Sequence, residues 1–245
     1  NYSGACWGYN FDWSTPGSYL PAYTPSVVVT SFVVDGLNEY REVFKNEEVK
    51  ELILSSTEYV IKDLKLRDNG KGLYIPYTHI STGLCYNASL LGAEILIKAF
   101  RINGNEEFKD IALKVAQTVL EKQKEDGHWK YSLNLNSGVE RDQVDFHQGF
   151  VLVSLHNILK YSGISKHSEY ESALKKGLRY YIERQFDKNG RAFYRLPKKF
   201  PADIHHQAQG IITCAALREY DDRALKYANL IAEWTINSMQ AREGY

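Results

Sequence analysis

Hydrophobic positions along the chain follow two kinds of helical pattern. Phe108, Ile111, Ala112, Val115, Ala116, Val119 and Leu120 recur at steps of three and four, as do Tyr170, Ala173, Leu174, Gly177, Leu178, Tyr181 and Ile182. Each set falls on one stripe of a helix whose back is charged. Residues 27–40, 88–100, 148–161 and 207–220 differ, being apolar nearly all round for their first three turns. That is the pattern of a helix covered on both sides. Amphipathic and buried helices therefore alternate, and Gly70, Gly127, Gly190 and Gly244 punctuate them at a period of about 50 to 65 residues. At least seven helices are expected.

An all-α chain satisfies this alternation most simply as an α/α toroid, or incomplete α/α barrel. Repeated helical hairpins would put buried inner helices around an axis and amphipathic outer helices over them. An open superhelical array of hairpins has the same periodicity and is the alternative. Gln123-Lys124-Glu125-Asp126-Gly127-His128-Trp129 resembles the QxxxGxW repeat of the terpenoid-cyclase and protein-prenyltransferase toroids. Gln240 to Tyr245 is similar, and Gln185 to Gly190 followed by Phe193 is a looser copy. The resemblance implies a structural role, with the glutamine capping a helix end and the aromatic packing on the next repeat. The reading is one domain over residues 1–245. A chain that begins at Asn1 and stops inside a repeated motif is expected to be a segment of a longer protein.

Near the start, Trp7, Tyr9, Phe11 and Trp13 stand at every second position, followed by the turn signal Ser14-Thr15-Pro16-Gly17-Ser18. So many rings either close the end of a core or line a sugar pocket, since rings stack on sugar C–H faces. This stretch, residues 24–32 and Asp145-Phe146-His147-Gln148-Gly149-Phe150 are together similar to a bacterial group found with exopolysaccharide biosynthesis. That resemblance implies a polysaccharide context and no particular reaction.

Composition narrows the partners. With 30 basic and 30 acidic side chains there is no global field for nucleic acid or an anionic membrane, and 44% hydrophobic residues suit a globular core. No apolar run approaches the roughly twenty residues of a membrane span, and no signal peptide is visible. Cys6, Cys85 and Cys214 are far apart and odd in number, so reduced thiols and a cytoplasmic setting are expected. The oligomeric state is left open.

Inner-helix N-termini are where ligands meet unpaired N–H groups and positive dipole ends. Counting back from Tyr40, Phe100, Tyr161 and Tyr220 puts Ser26, Tyr86, His147 and His206 at one level and Val27, Asn87, Gln148 and Gln207 at the next. The leading reading is a carbohydrate-active enzyme that performs lyase- or epimerase-type acid/base chemistry on a uronate-containing polysaccharide or oligosaccharide. An amide and cations would offset the carboxylate while Tyr or His removes a proton; this resembles toroidal polysaccharide lyases. Tyr86, Asn87, Asp145, His147 and His206 are the catalytic candidates, expected to converge on one cavity. Trp7, Tyr9, Asp12, Trp13, Arg141, Gln148 and Gln207 are the substrate-binding candidates, with Arg195 and the basic loop before Asp203 beside them. Glycoside hydrolysis by paired carboxylates among Asp12, Asp142, Asp145 and Asp203 is one alternative. A zinc site at Asp145, His147 and His206 is another, although His stands where the prenyltransferase pattern has Cys; the leading reading needs no cofactor. The DxDD acid motif of terpene cyclases is absent, because Asp142 and Asp145 are spaced differently. A non-catalytic glycan-binding or scaffold subunit is the alternative of another class.

Overall fold

The computed structural model describes residues 1–15, 18–68, 70, 72–164, 168–241 and 243–244. Pro16 and Gly17 of the expected turn, and Arg242 and Tyr245 of the last repeat, lie outside the described residues. The chain divides into two compact units, residues 1–119 with 132–139, and residues 120–131 with 140–245.

The first unit opens with a hairpin, β1 (Trp13–Thr15) antiparallel to β2 (Ser18–Leu20), with Trp13 opposite Leu20. Helix α1 (Val27–Phe44) follows. It starts because Pro25 leads into an extended Ser26, whose hydroxyl accepts from Val29 N at 3.2 Å, and it stops at Lys45 in the left-handed region. Next come α2 (Lys50–Glu58), continued by a π-turn over Tyr59–Asp63, the short antiparallel pair β3 (Arg67–Asp68) and β4 (Leu73–Tyr74), and β5 (Leu84–Cys85) leading into α3 (Tyr86–Asn103). Helix α4 (Glu106–Leu120) and strand β6 (Ser132–Leu133), antiparallel to β5, complete this unit apart from Leu120. Every residue of α3 from Tyr86 to Ala99 is buried, as its all-round apolar pattern predicts. Gly92 allows α3 to approach closely, since a Cβ there would meet Ile75 at 2.8 Å and Val27 at 2.9 Å.

The second unit is built from α5 (His147–Ser162), α6 (Ser168–Gln185), α7 (Ile204–Ala216) and α8 (Ala224–Met239). The α6 stripe Tyr170, Ala173, Leu174, Gly177, Leu178, Tyr181 and Ile182 is buried as its spacing predicts. Helix α7 ends at Ala216, four residues short of the expected Tyr220, because Leu217 to Tyr220 close a turn instead, with Tyr220 N donating to Leu217 O. Burial runs all round α3, whereas α1 and α7 bury one face and keep Phe32, Ile204 and Ile212 about half exposed.

Candidate functional site

A repeated polar clamp places the starts of α5 and α7. Gln123 Nε2 donates to Gly127 O and to Ala173 O, both at 2.9 Å, and Gly127 has φ 107 and sits where a Cβ would strike Lys176 O at 2.4 Å. Only glycine tolerates that conformation and approach without strain. The next inner helix locks onto the same turn: Gln148 Oε1 accepts from Trp129 N at 2.9 Å and its Nε2 donates to Gly127 O and Gly177 O. Gln207 repeats the arrangement, accepting from Ala192 N and donating to Gly190 O and Thr235 Oγ1. Gly190, with φ 89, lies against Leu230 O of α8 as Gly127 lies against α6. Gln148 and Gln207 are thus buried and committed to holding loop to helix, which leaves no free amide for a substrate. Gln240 Nε2 donates to Gly244 O in the same way as Gln123 to Gly127.

Just ahead of the Gln148 clamp sits a cluster of charge. Asp145 is 2% exposed, and its carboxylate takes four donors. Oδ1 accepts from His147 N at 3.2 Å and His147 Nδ1 at 2.6 Å, while Oδ2 accepts from Gln143 Nε2 at 2.8 Å and Arg195 Nε at 3.3 Å. Burial alone would raise its pKa, but the bonds from His147 and Gln143 outweigh that and hold it at about 2. An ionised carboxylate can only accept, so Nδ1 of His147 carries the proton and Nε2 is the free end. The His147 side chain is 20% exposed, flanked by Phe146 at 4.1 Å and by the edge-on ring of Tyr131 at 4.6 Å. Arg141 lies over the other partner, 5.1 Å from the Tyr131 ring. A partly accessible imidazole oriented by a buried carboxylate, with guanidinium groups close by, is equipped to move a proton next to an anionic group.

His206 occupies the equivalent place on α7 but a different environment. It is 1% exposed, its Nδ1 lies 2.9 Å from Phe193 O, and its ring stacks on Tyr181 at 5.8 Å. Desolvation lowers its pKa to about 4, against the opposing pull of Asp145, so the imidazole is neutral in the fold. It supports the layer beneath the cluster, whereas His205, its neighbour, stacks its ring on Phe146 at 4.2 Å.

The remaining candidates belong to the first unit. Tyr86 is fully buried, and Asn87 Oδ1 accepts from Cys85 Sγ at 3.1 Å. The left-handed glycines that end α3 and α5, Gly104 and Gly163, align Ser89 with Gln148, and Ser89 Oγ indeed accepts from Ile75 N at 2.9 Å. Counted from these glycines, Asn87 stands two residues ahead of the place in α3 that Gln148 holds in α5. Tyr9 stacks on Phe11 at 5.1 Å and on Trp13 at 5.6 Å, forming an aromatic platform with Phe11 and Trp13 about half exposed. Trp7 is partly buried and bonded through its backbone to Thr30 Oγ1. Asp12 accepts from Tyr19 Oη at 2.9 Å and Ala22 N at 2.8 Å, so it braces the hairpin. Sequence reasoning missed Gln143, Tyr131 and Phe146; the only available signal was their closeness in sequence to Asp145 and Trp129.

Among the described residues no group of three or more His, Cys, Asp or Glu side chains is arranged to hold a metal. Among them, too, no helix is long and apolar enough to cross a membrane.

No family model and no curated protein matches the chain. Solved structures do. A cellobiose 2-epimerase from Bacillus thermoamylovorans superposes with a TM-score of 0.72 at 16% identity, over 89% of this chain and 61% of the other. A GH76 α-mannanase from Bacteroides thetaiotaomicron gives 0.72 at 15% identity, over 96% and 67%. An unsaturated glucuronyl hydrolase from Bacillus sp. GL1, described as responsible for degrading glycosaminoglycan, gives 0.68 at 12%, over 89% and 63%. The chain therefore spans about three fifths to two thirds of the length of these structures. At such identities the likeness shows the fold alone: this chain is all-α, with the α/α-toroid fold that these carbohydrate-processing enzymes share.

Proposed function

We propose that the chain is part of a carbohydrate-active enzyme that performs proton-transfer chemistry, of lyase or epimerase type, on a uronate-containing glycan. The observation that carries this reading is the 2.6 Å bond from His147 Nδ1 to the buried Asp145 carboxylate, which also takes a bond from Arg195 and leaves Nε2 as the working end of the imidazole. His147 acts as the base that takes a proton from carbon; Asp145 fixes its tautomer and stabilises the imidazolium that forms. Arg195 and Arg141 offset the charge of the sugar carboxylate and of the enolate-like transition state. The descriptions of the solved neighbours as an epimerase and a glucuronyl hydrolase support a sugar substrate. The polysaccharide-biosynthesis context rests on the sequence resemblance, and the cytoplasmic setting on the odd number and wide spacing of Cys6, Cys85 and Cys214.

One observation favours a second reading, a glycan-binding module: the exposed platform of Tyr9, Phe11 and Trp13. A single comparison separates the two. Uronate oligosaccharides are incubated with the wild type, His147→Ala and Trp13→Ala, following unsaturated product by ultraviolet absorbance, C5 inversion by NMR and binding by calorimetry. Under the enzymatic reading His147→Ala loses turnover by about 100-fold or more and keeps binding. No turnover by the wild type together with binding lost only in Trp13→Ala supports the binding module and ends the enzymatic reading.

A further inference from the structure

A cavity of the second unit lies away from His147. It has a volume of about 700 Å³ and opens at the other ends of the same helices, where α5 and α7 finish and α6 begins. His156, which borders it, lies nine residues along α5 from His147, on the order of 14 Å at the helical rise. The two places are separate sites on shared helices.

The lining has a chemistry of its own. Lys160 and Arg218 bring two cations, and Glu171 and Glu219 bring two carboxylates. Asn157 contributes an amide, and His156 and Tyr220 form a polar aromatic corner, His156 Nδ1 lying 3.2 Å from Tyr220 Oη with the rings edge-on at 5.7 Å. Arg218 is placed by a 3.3 Å bond from Nη1 to Ala215 O at the end of α7. Charge balance decides what such a lining can accept. An anionic ligand would meet two carboxylates and the carbonyl ends of two helices; a cationic one would meet an ammonium and a guanidinium. A neutral ligand rich in hydroxyl groups suits every group present, because carboxylates accept from neighbouring hydroxyls, Arg and Lys donate to them, and a ring covers their C–H face. The volume lies within the range of about 300 to 1,000 Å³ usual for small-molecule sites.

We infer that the cavity formed by His156, Lys160, Glu171, Arg218, Glu219 and Tyr220 is a second carbohydrate site, which takes a neutral mono- or disaccharide unit. It needs no chemistry at His147 and holds whether or not the proposed reaction occurs. In a chain acting on a polymer of mixed sugars, it gives a neutral unit its own point of attachment on the elements that carry the reacting end.

The test is a titration of the whole chain carrying His147→Ala with cellobiose, read at the His156 imidazole by NMR and by calorimetry. Its failure and the failure of the proposed function are then separate observations. The expected result is a saturable shift at His156 at millimolar cellobiose, with affinity about tenfold weaker in Glu219→Ala and in Arg218→Ala. Circular dichroism confirms that these exposed-side variants keep their helices. An unmoved His156 resonance at millimolar cellobiose overturns the inference. So does unchanged affinity in both variants, or tighter binding of glucuronate or glucosamine than of cellobiose at His156.

Discussion

Each unit buries a charged cluster, and the two are built in opposite senses. In the first, the cation lies inside: Lys98 Nζ is 2.5 Å from Asp35 Oδ1 on α1 and 3.1 Å from Glu94 Oε2 on α3, with the lysine side chain 9% exposed. Burial works against its charge, yet Glu94 and Asp35 outweigh it and hold the ammonium above its ordinary pKa. In the second the carboxylate lies inside. Asp145 is covered, and its partners His147 and Arg195 reach progressively toward solvent. In the first cluster Asp35 and Glu94 both face Lys98, which joins α1 to α3. The second directs its donors inward and leaves Nε2 of an imidazole and a guanidinium facing outward. Which member of an ion pair is buried is what separates a structural pair from a candidate site.

The comparison breaks most visibly if Lys98 is removed. Lys98→Ala removes the cation from between the Asp35 and buried Glu94 carboxylates, and the expected loss is about 3–5 kcal/mol of stability, read from urea unfolding. Replacing Asp35, Glu94 and Lys98 together by Leu, Leu and Met should recover most of it. A loss below about 1 kcal/mol for Lys98→Ala would mean that the cluster is solvated and does not hold the helices.

In the other cluster, Asp145→Asn should act on turnover more than on folding. The amide offers His147 a donor as readily as an acceptor, so the imidazole loses its fixed tautomer, and uronate turnover should fall by about 100-fold. Its effect on unfolding at neutral pH should be smaller than that of Lys98→Ala. The reverse order would make Asp145 a structural residue like Glu94.

A smaller and pH-dependent effect sharpens the contrast between the two histidines. His206 has its folded pKa lowered to about 4 from 6.5. The unfolded chain therefore takes up the proton first, and the contribution of this residue is full above pH 6.5 and is lost as pH falls from 6.5 to 4. The expected size is on the order of 3 kcal/mol. His206→Asn, which can still donate to Phe193 O, should flatten the stability profile in that window. Asp145 adds its own acid loss lower down, from about pH 3.8 toward 2. A profile unchanged by His206→Asn would show that the imidazole reaches water.

Much of the architecture is legible in local pattern. The stripes of α4 and α6, the all-round apolar run of α3, the serine and aspartate that cap α1 and α7, and the turn from Gln123 to Trp129 all follow from residues within a few turns of one another. The candidate site was legible only in part. Asp145 and His147 are two residues apart and their bond is local. Arg195 joins them from fifty residues away, because Val144 and Leu196 pair as a short bridge, which no spacing rule announces.

By itself the sequence determined the all-α class, the alternation of helix types, the glycine turns and the Asp145–His147 pair, because periodicity, caps and left-handed glycines act through neighbouring residues. Only the tertiary structure decided that Gln148 and Gln207 hold backbone, that Ser89 holds the Ile75 backbone, that Lys98 has two acids, and that His147 reaches solvent while His206 does not. Each of these depends on which element covers which. Burial and long-range hydrogen bonds are properties of packed neighbours, and one residue type at one helical level can be a base in one packing and a neutral core ring in another.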